Sequence, residues 1–185
     1  MIPTIGVLLF LALTPNVISK ERQYLLLSII FFSTYIVPII CLVILKALGI
    51  ISSFQVETIN ERKVPLFLML LIFYVLGRFL INIHDFKDLS ILFYGTNLAL
   101  IVIYILFFFN IKTSLHIVSM SSALGFFIIY GTRNNISILP IAITLIVLTG
   151  LLGSSRLHLK AHKPLEIYLA FFLGITTQYL GYILL

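Results

Sequence analysis

The chain has 185 residues, 61% of them hydrophobic and 10% charged, with a formal charge of +6 and a mean hydropathy of +1.20. Soluble domains carry about 25% charged residues, so this composition excludes a water-soluble fold and points to an integral membrane protein. Cations interleaved with aromatics are absent, which argues against nucleic acid as a partner, and the single cysteine, Cys41, excludes an internal disulfide or a cysteine metal cage.

Apolar runs of about 17–25 residues are expected to span a bilayer as helices, because lipid offers the backbone no hydrogen-bond partners. The first run, Ile2 to Ile18, lacks the basic start and small-residue cleavage site of a signal peptide and is read as a membrane segment interrupted by Pro15. After the charged hinge Lys20-Glu21-Arg22, a second run extends from Tyr24 to Leu48, with Pro38 as an expected kink. A polar loop from Ser52 to Lys63 follows. The third run is expected to start at Pro65, a residue suited to a first helical turn, and to end near Asn82. The fourth covers Leu89 to Phe109, the fifth Leu115 to Tyr130 and the sixth Ile138 to Gly153. The polar stretch Ser154 to Lys163 reads as a loop, and a seventh run begins at Pro164. The expected fold is therefore an all-α integral membrane protein. It is one domain over residues 1–185, a bundle of six to seven transmembrane helices with its active site at one membrane face.

Each span reverses the chain, so the segments 52–63, 110–114 and 154–164 emerge on one side. That face gathers Glu57, Glu61, Arg62, Lys63, Lys112, His116, Arg156, His158, Lys160, His162 and Lys163, including three of the four histidines. The opposite face receives Lys20, Glu21, Arg22, Asp85, Lys87, Asp88 and Arg133, where charges at helix ends read as anchors. Histidine is not a usual anchor.

Histidines among cations suit phosphate chemistry, which needs cations around the oxygens, a nucleophile in line and an acid for the leaving group. Arg156 can hold two oxygens at once, and Lys112 and Arg62 can add charge, with Lys63 as the neighbour that can replace Arg62. Ser114 stands where the fifth helix begins, beside free N–H groups that favour an anion. His162 can act as nucleophile and His116 as acid. Glu166, four residues past His162, can orient that imidazole while also opposing the dipole of its own helix. Lys160 and Lys163 read as headgroup contacts, and the serines of the fifth run as close-packing residues. His158 and His162 have the spacing of a helical zinc pair. The glutamate of that motif is missing, since Leu159 follows His158, so no metal is assigned.

Ser155-Arg156, five residues, His162, three residues and Glu166 resembles the third motif of the type 2 phosphatidic acid phosphatase superfamily, with Glu for the family's Asp. Thr113-Ser114-Leu115-His116 keeps the Ser-x-His of its second motif, and Glu61-Arg62-Lys63-Val64-Pro65 stands where the first is expected. Over most of its length the chain resembles a divergent, Bacteroidetes-type branch of that superfamily. The resemblance implies hydrolysis of a membrane lipid phosphate or isoprenoid (di)phosphate through a phosphohistidine on His162, with no cofactor. Glu166 would orient His162, and His116 would protonate the leaving group. Arg156, Lys112 and Arg62 would hold the phosphoryl oxygens. It also implies a bacterial inner-membrane location with the active site facing the periplasm. The alternatives are a catalytically silent relative that binds or translocates a phospholipid and, from another class, a small channel or transporter.

Overall fold

The computed structural model describes residues 2–14, 18–54, 56 and 58–185. Among them the chain is all helix and turn: α1 (Ile2–Leu13), α2 (Lys20–Ala47), α3 (Ile59–Ile81), α4 (Lys87–Phe108), α5 (Leu115–Asn134), α6 (Leu139–His158) and α7 (Pro164–Leu184). A short 3-10 turn, His84–Phe86, leads into α4. Helices α2 to α7 are each long and apolar enough to cross a membrane, which makes the chain an all-α membrane bundle.

Among the described residues the first run forms a helix shorter than a span. Helix α1 has 12 residues, about 18 Å at 1.5 Å per residue, against about 30 Å of hydrocarbon. It stops at Leu13, two residues before Pro15, which itself lies outside the described residues; a residue preceding proline is steered away from helical geometry.

The third helix begins six residues before the expected Pro65. The cause is a cap at Thr58. Its hydroxyl accepts from the Glu61 N–H at 3.3 Å, and the Glu61 carboxylate takes bonds from the Thr58 hydroxyl at 3.0 Å and the Ser52 N–H at 2.8 Å. A threonine followed three residues later by glutamate is a helix-start signature, and here it places Glu61, Arg62 and Lys63 on helix rather than loop.

Likewise α6 runs through Ser154, Ser155, Arg156 and His158, because nothing in that stretch breaks a helix. The polar loop expected there shrinks to Leu159–Lys163. In α2 the strain expected at Pro38 is taken up just upstream by a π-helical turn, Phe32–Ile36, where Thr34 donates to the Ile30 carbonyl at 2.7 Å.

Helices α4 and α5 form the buried centre, and α7 packs tightly against both. The other helices present apolar surface outward; Val75, Leu151 and Phe172 remain 62–63% exposed, as residues facing lipid must. Between helices, lipid gives no hydrophobic driving force, so small residues and buried polar groups do the joining. Gly174 of α7 lies on α5 so closely that an added Cβ would sit 2.0 Å from Ser121 Oγ and 2.7 Å from the Val118 carbonyl. Ser121 donates to the Ala170 carbonyl at 3.3 Å. Gln178, fully buried, donates to the Leu92 carbonyl at 3.0 Å and to Thr96 Oγ1 at 3.1 Å, tying α7 to α4.

These contacts make unequal demands on the glycines. Gly174→Ala is expected to cost about 1–3 kcal/mol through forced separation of α5 and α7. Gly150→Ala, with open space around it, is expected to leave stability unchanged or raise it slightly. Thermal unfolding of the two variants in detergent checks the contrast, and equal midpoints would refute the close approach.

Candidate active site

Three chain segments deliver their polar residues to one place. Arg62 comes from the first turns of α3, Lys112 and His116 from the start of α5, and Arg156 and His162 from the end of α6 and the turn after it. All five line a single cavity of about 890 Å³ that opens at the membrane face shared by these helix ends.

The α6–α7 turn sets the geometry of His162. Helix α6 closes with the Ala161 N–H on the Arg156 carbonyl at 3.1 Å and the Lys160 N–H on the Leu157 carbonyl at 2.9 Å. This closure needs a left-handed residue, and Lys160 takes it at φ +52°. The same closure recurs after α2 at Gly49 and after α4 at Asn110, residues that adopt the conformation readily. Lysine is the exception, and it too lines the cavity.

Two residues later His162 Nδ1 lies 2.7 Å from Glu166 Oε2, with the histidine side chain only 8% exposed. A carboxylate accepts, so Nδ1 carries the hydrogen and the Nε2 lone pair is left available. The same Glu166 oxygen also accepts from the Lys163 N–H at 3.3 Å, capping α7. Orientation of His162 and capping of α7 therefore share one carboxylate.

Arg156 has its Nε buried with no hydrogen-bond partner in the protein. Arg62 is partly engaged, its Nε donating to the Val56 carbonyl at 2.8 Å. The charges of Arg156 and Arg62 both bear on His116, and that of Glu166 on Arg62. Ser114 is the N-cap of α5 and fully buried. Its hydroxyl has no partner and stands behind the cavity wall rather than on it.

Lys63 is not brought to the cavity. Its ammonium lies 5.6 Å from the centre of the Phe108 ring, so of the neighbouring pair it is Arg62 that faces inward. His158 is exposed and does not line the cavity. Among the described residues no group of three His, Cys, Asp or Glu is placed to hold a metal ion. Two residues that the sequence reading gave no part in the site lie at or near it. Lys160 lines the cavity; the signal for it was a helix stop without glycine or asparagine. Thr113 is fully buried beside Ser114, and its hydroxyl is also unpartnered. The chain matches no protein-family model, no curated protein and no solved structure.

The left-handed turn yields a prediction. Lys160→Gly should relieve the backbone strain and raise stability by about 0.5–1 kcal/mol. A higher unfolding midpoint in detergent is the expected result, while a fall would contradict the turn geometry.

Proposed function

We propose that this protein is an integral membrane phosphatase that hydrolyses a lipid phosphate or polyprenyl diphosphate through a phosphohistidine. The observation that carries the reading is the carboxylate-held imidazole of His162 in one cavity with Arg156 and His116. The spacing of Ser155, Arg156, His162 and Glu166, shared with type 2 phosphatidic acid phosphatases, supports it.

In this mechanism the Nε2 lone pair of His162 attacks phosphorus, and the bond from phosphorus to the departing oxygen breaks. Protonated His116 gives its proton to that oxygen. Neutral His116 then takes a proton from water, which attacks phosphorus and releases phosphate and His162. Glu166 stabilises the imidazolium-like charge that develops on His162. Arg156, with Lys112 and Arg62, holds the phosphoryl oxygens as negative charge builds on them. Ser114 and the first-turn N–H groups of α5 add positive potential from behind the wall.

The test is phosphate release by detergent-solubilised protein over a panel of lipid phosphates and diphosphates. His162→Ala should reduce turnover by at least about 10³-fold. Glu166→Gln should cost about 10²–10⁴-fold by removing the charge behind the imidazole. Arg156→Ala should cost about 10²–10³-fold. Undiminished turnover in a folded His162→Ala variant would sink the mechanism.

One observation favours a second reading, a silent relative that binds or translocates a phospholipid. Arg62 spends its Nε on the Val56 carbonyl, which also gives it a structural task. Wild-type protein that binds a lipid phosphate and releases no phosphate would establish that reading instead.

We place the cavity mouth on the periplasmic side of a bacterial inner membrane. Asn60 and Asn82, both exposed, mark opposite ends of α3. In a Cys41→Ser background, Asn60→Cys should react with an impermeant thiol reagent in intact spheroplasts and Asn82→Cys should not. The reverse pattern would put the mouth in the cytoplasm.

A further inference from the structure

The cavity does not end at its polar mouth. It continues down between α3, α4 and α5, past Leu66, Met69 and Leu100, to Phe73, Thr96 and Ser119. Arg62 and Phe73 lie on the same helix, separated by about 16 Å at 1.5 Å rise per residue. That depth is about half of the ~30 Å hydrocarbon layer. A headgroup-only site has no use for such a shaft.

The shaft has a definite floor. Phe73, Thr96 and Ser119 also face a second void on their far side, closed below by Pro3 and Gly6 of α1. That void measures about 10 Å³, room for one water at most. The three side chains are thus a partition with α1 packed beneath it. Thr96 does not call water to the floor, because its hydroxyl donates to the Leu92 carbonyl at 2.7 Å and accepts from Gln178 at 3.1 Å.

We propose that the shaft is a hydrocarbon-chain subsite and that its floor, Phe73, Thr96 and Ser119, sets the length of chain the protein accepts. The occupant is the alkyl, acyl or isoprenoid chain of the same molecule whose phosphate sits among Arg62, Arg156 and His162, so the inference rests on the phosphate reading of the mouth. Cations above and apolar walls below match a phosphorylated amphiphile end for end. The flank supplies the route. Leu42 and Phe54 belong to the outer half of α2 and its following loop, which pack through a small cluster of their own, Leu45, Ile51 and Val56, apart from the main core. A chain can pass that seam sideways from the bilayer while its headgroup stays at the interface.

Two measurements test this. Wild-type protein in micelles is irradiated with hexadecyl phosphate bearing a diazirine at the chain end, and the labelled residues are mapped. Label at or beside Phe73 and Ser119, removed by excess unlabelled hexadecyl phosphate, is expected; label confined to the lipid-facing surfaces overturns the subsite. Secondly, Ser119→Phe should depress hexadecyl phosphate hydrolysis about tenfold or more relative to octyl phosphate, and Phe73→Ala should shift preference toward longer chains. Unchanged chain-length preference in both variants overturns the ruler. If Ser119→Phe fails to fold, Phe73→Ala and the wild-type labelling still decide. Floor labelling without phosphate release from any lipid would sink the phosphatase reading and leave the subsite standing. Phosphate release indifferent to chain length would do the opposite.

Discussion

The contact between α5 and α7 governs where the chemistry can sit. Gly174 presses against Val118, Ser121 and Ser122 with no space for a single added carbon. Two helices brought so close cannot slide or rotate independently, since packed backbones allow only discrete arrangements. His116 lies little more than one turn above Ser121 on α5, and Glu166 lies eight residues above Gly174 on α7. The contact therefore fixes the height and rotation of both residues about 8–12 Å away, by the 1.5 Å rise per residue. His162 is positioned through Glu166 rather than directly. The Gln178 bonds to Leu92 and Thr96 add α4 to the same rigid unit, and Thr96 is part of the cavity floor. Mouth and floor are held by one set of close contacts.

Charge is divided unequally across the membrane. On the face away from the cavity, Asp85 pairs with Arg22, and Asp88 pairs with Arg133 at 3.1 Å. Two of the three acids on that face are thus paired with cations. On the cavity face the carboxylates among the described residues are committed elsewhere. Glu61 caps α3 through Thr58 and Ser52, and Glu166 serves His162 and Lys163. Among the described residues no ion pair takes up Arg156, whose Nε is buried without a partner. A buried N–H left so costs free energy unless an acceptor completes it. That imbalance is a structural argument for an anionic ligand that is independent of any motif.

The bundle was legible in the sequence because lipid imposes a length and a composition on each span, and those are visible in one dimension. The convergence of residues 62, 112–116 and 156–162 followed from parity alone. Helix ends were harder to see. Hydropathy marks where a segment leaves the oil, not where its hydrogen bonds stop, so polar Arg156 and His158 were assigned to a loop although α6 carries them. At Pro65 a start signal that proline can give outweighed the stronger signal at Thr58 and Glu61. Glu166 was read from spacing, and i to i+4 spacing on the turn into α7 does bring its carboxylate to His162. Lys160 was read as a headgroup contact rather than a cavity residue, because its place at the cavity depends on a left-handed backbone that the residue type disfavours.

Helix α1 explains why the cavity has a floor at all. Its far end packs Phe10 against Phe126 and Tyr130, whose ring centres lie 6.3 and 5.2 Å away, toward the face opposite the mouth. Toward its other end Gly6 and Pro3 stand against Phe73, Thr96 and Ser119. Helix α1 thus fills the space beneath the cavity. The run that composition alone assigned to a seventh span is thus the element that backs the cavity floor, and its packing beneath Phe73, Thr96 and Ser119 sets where the cavity ends.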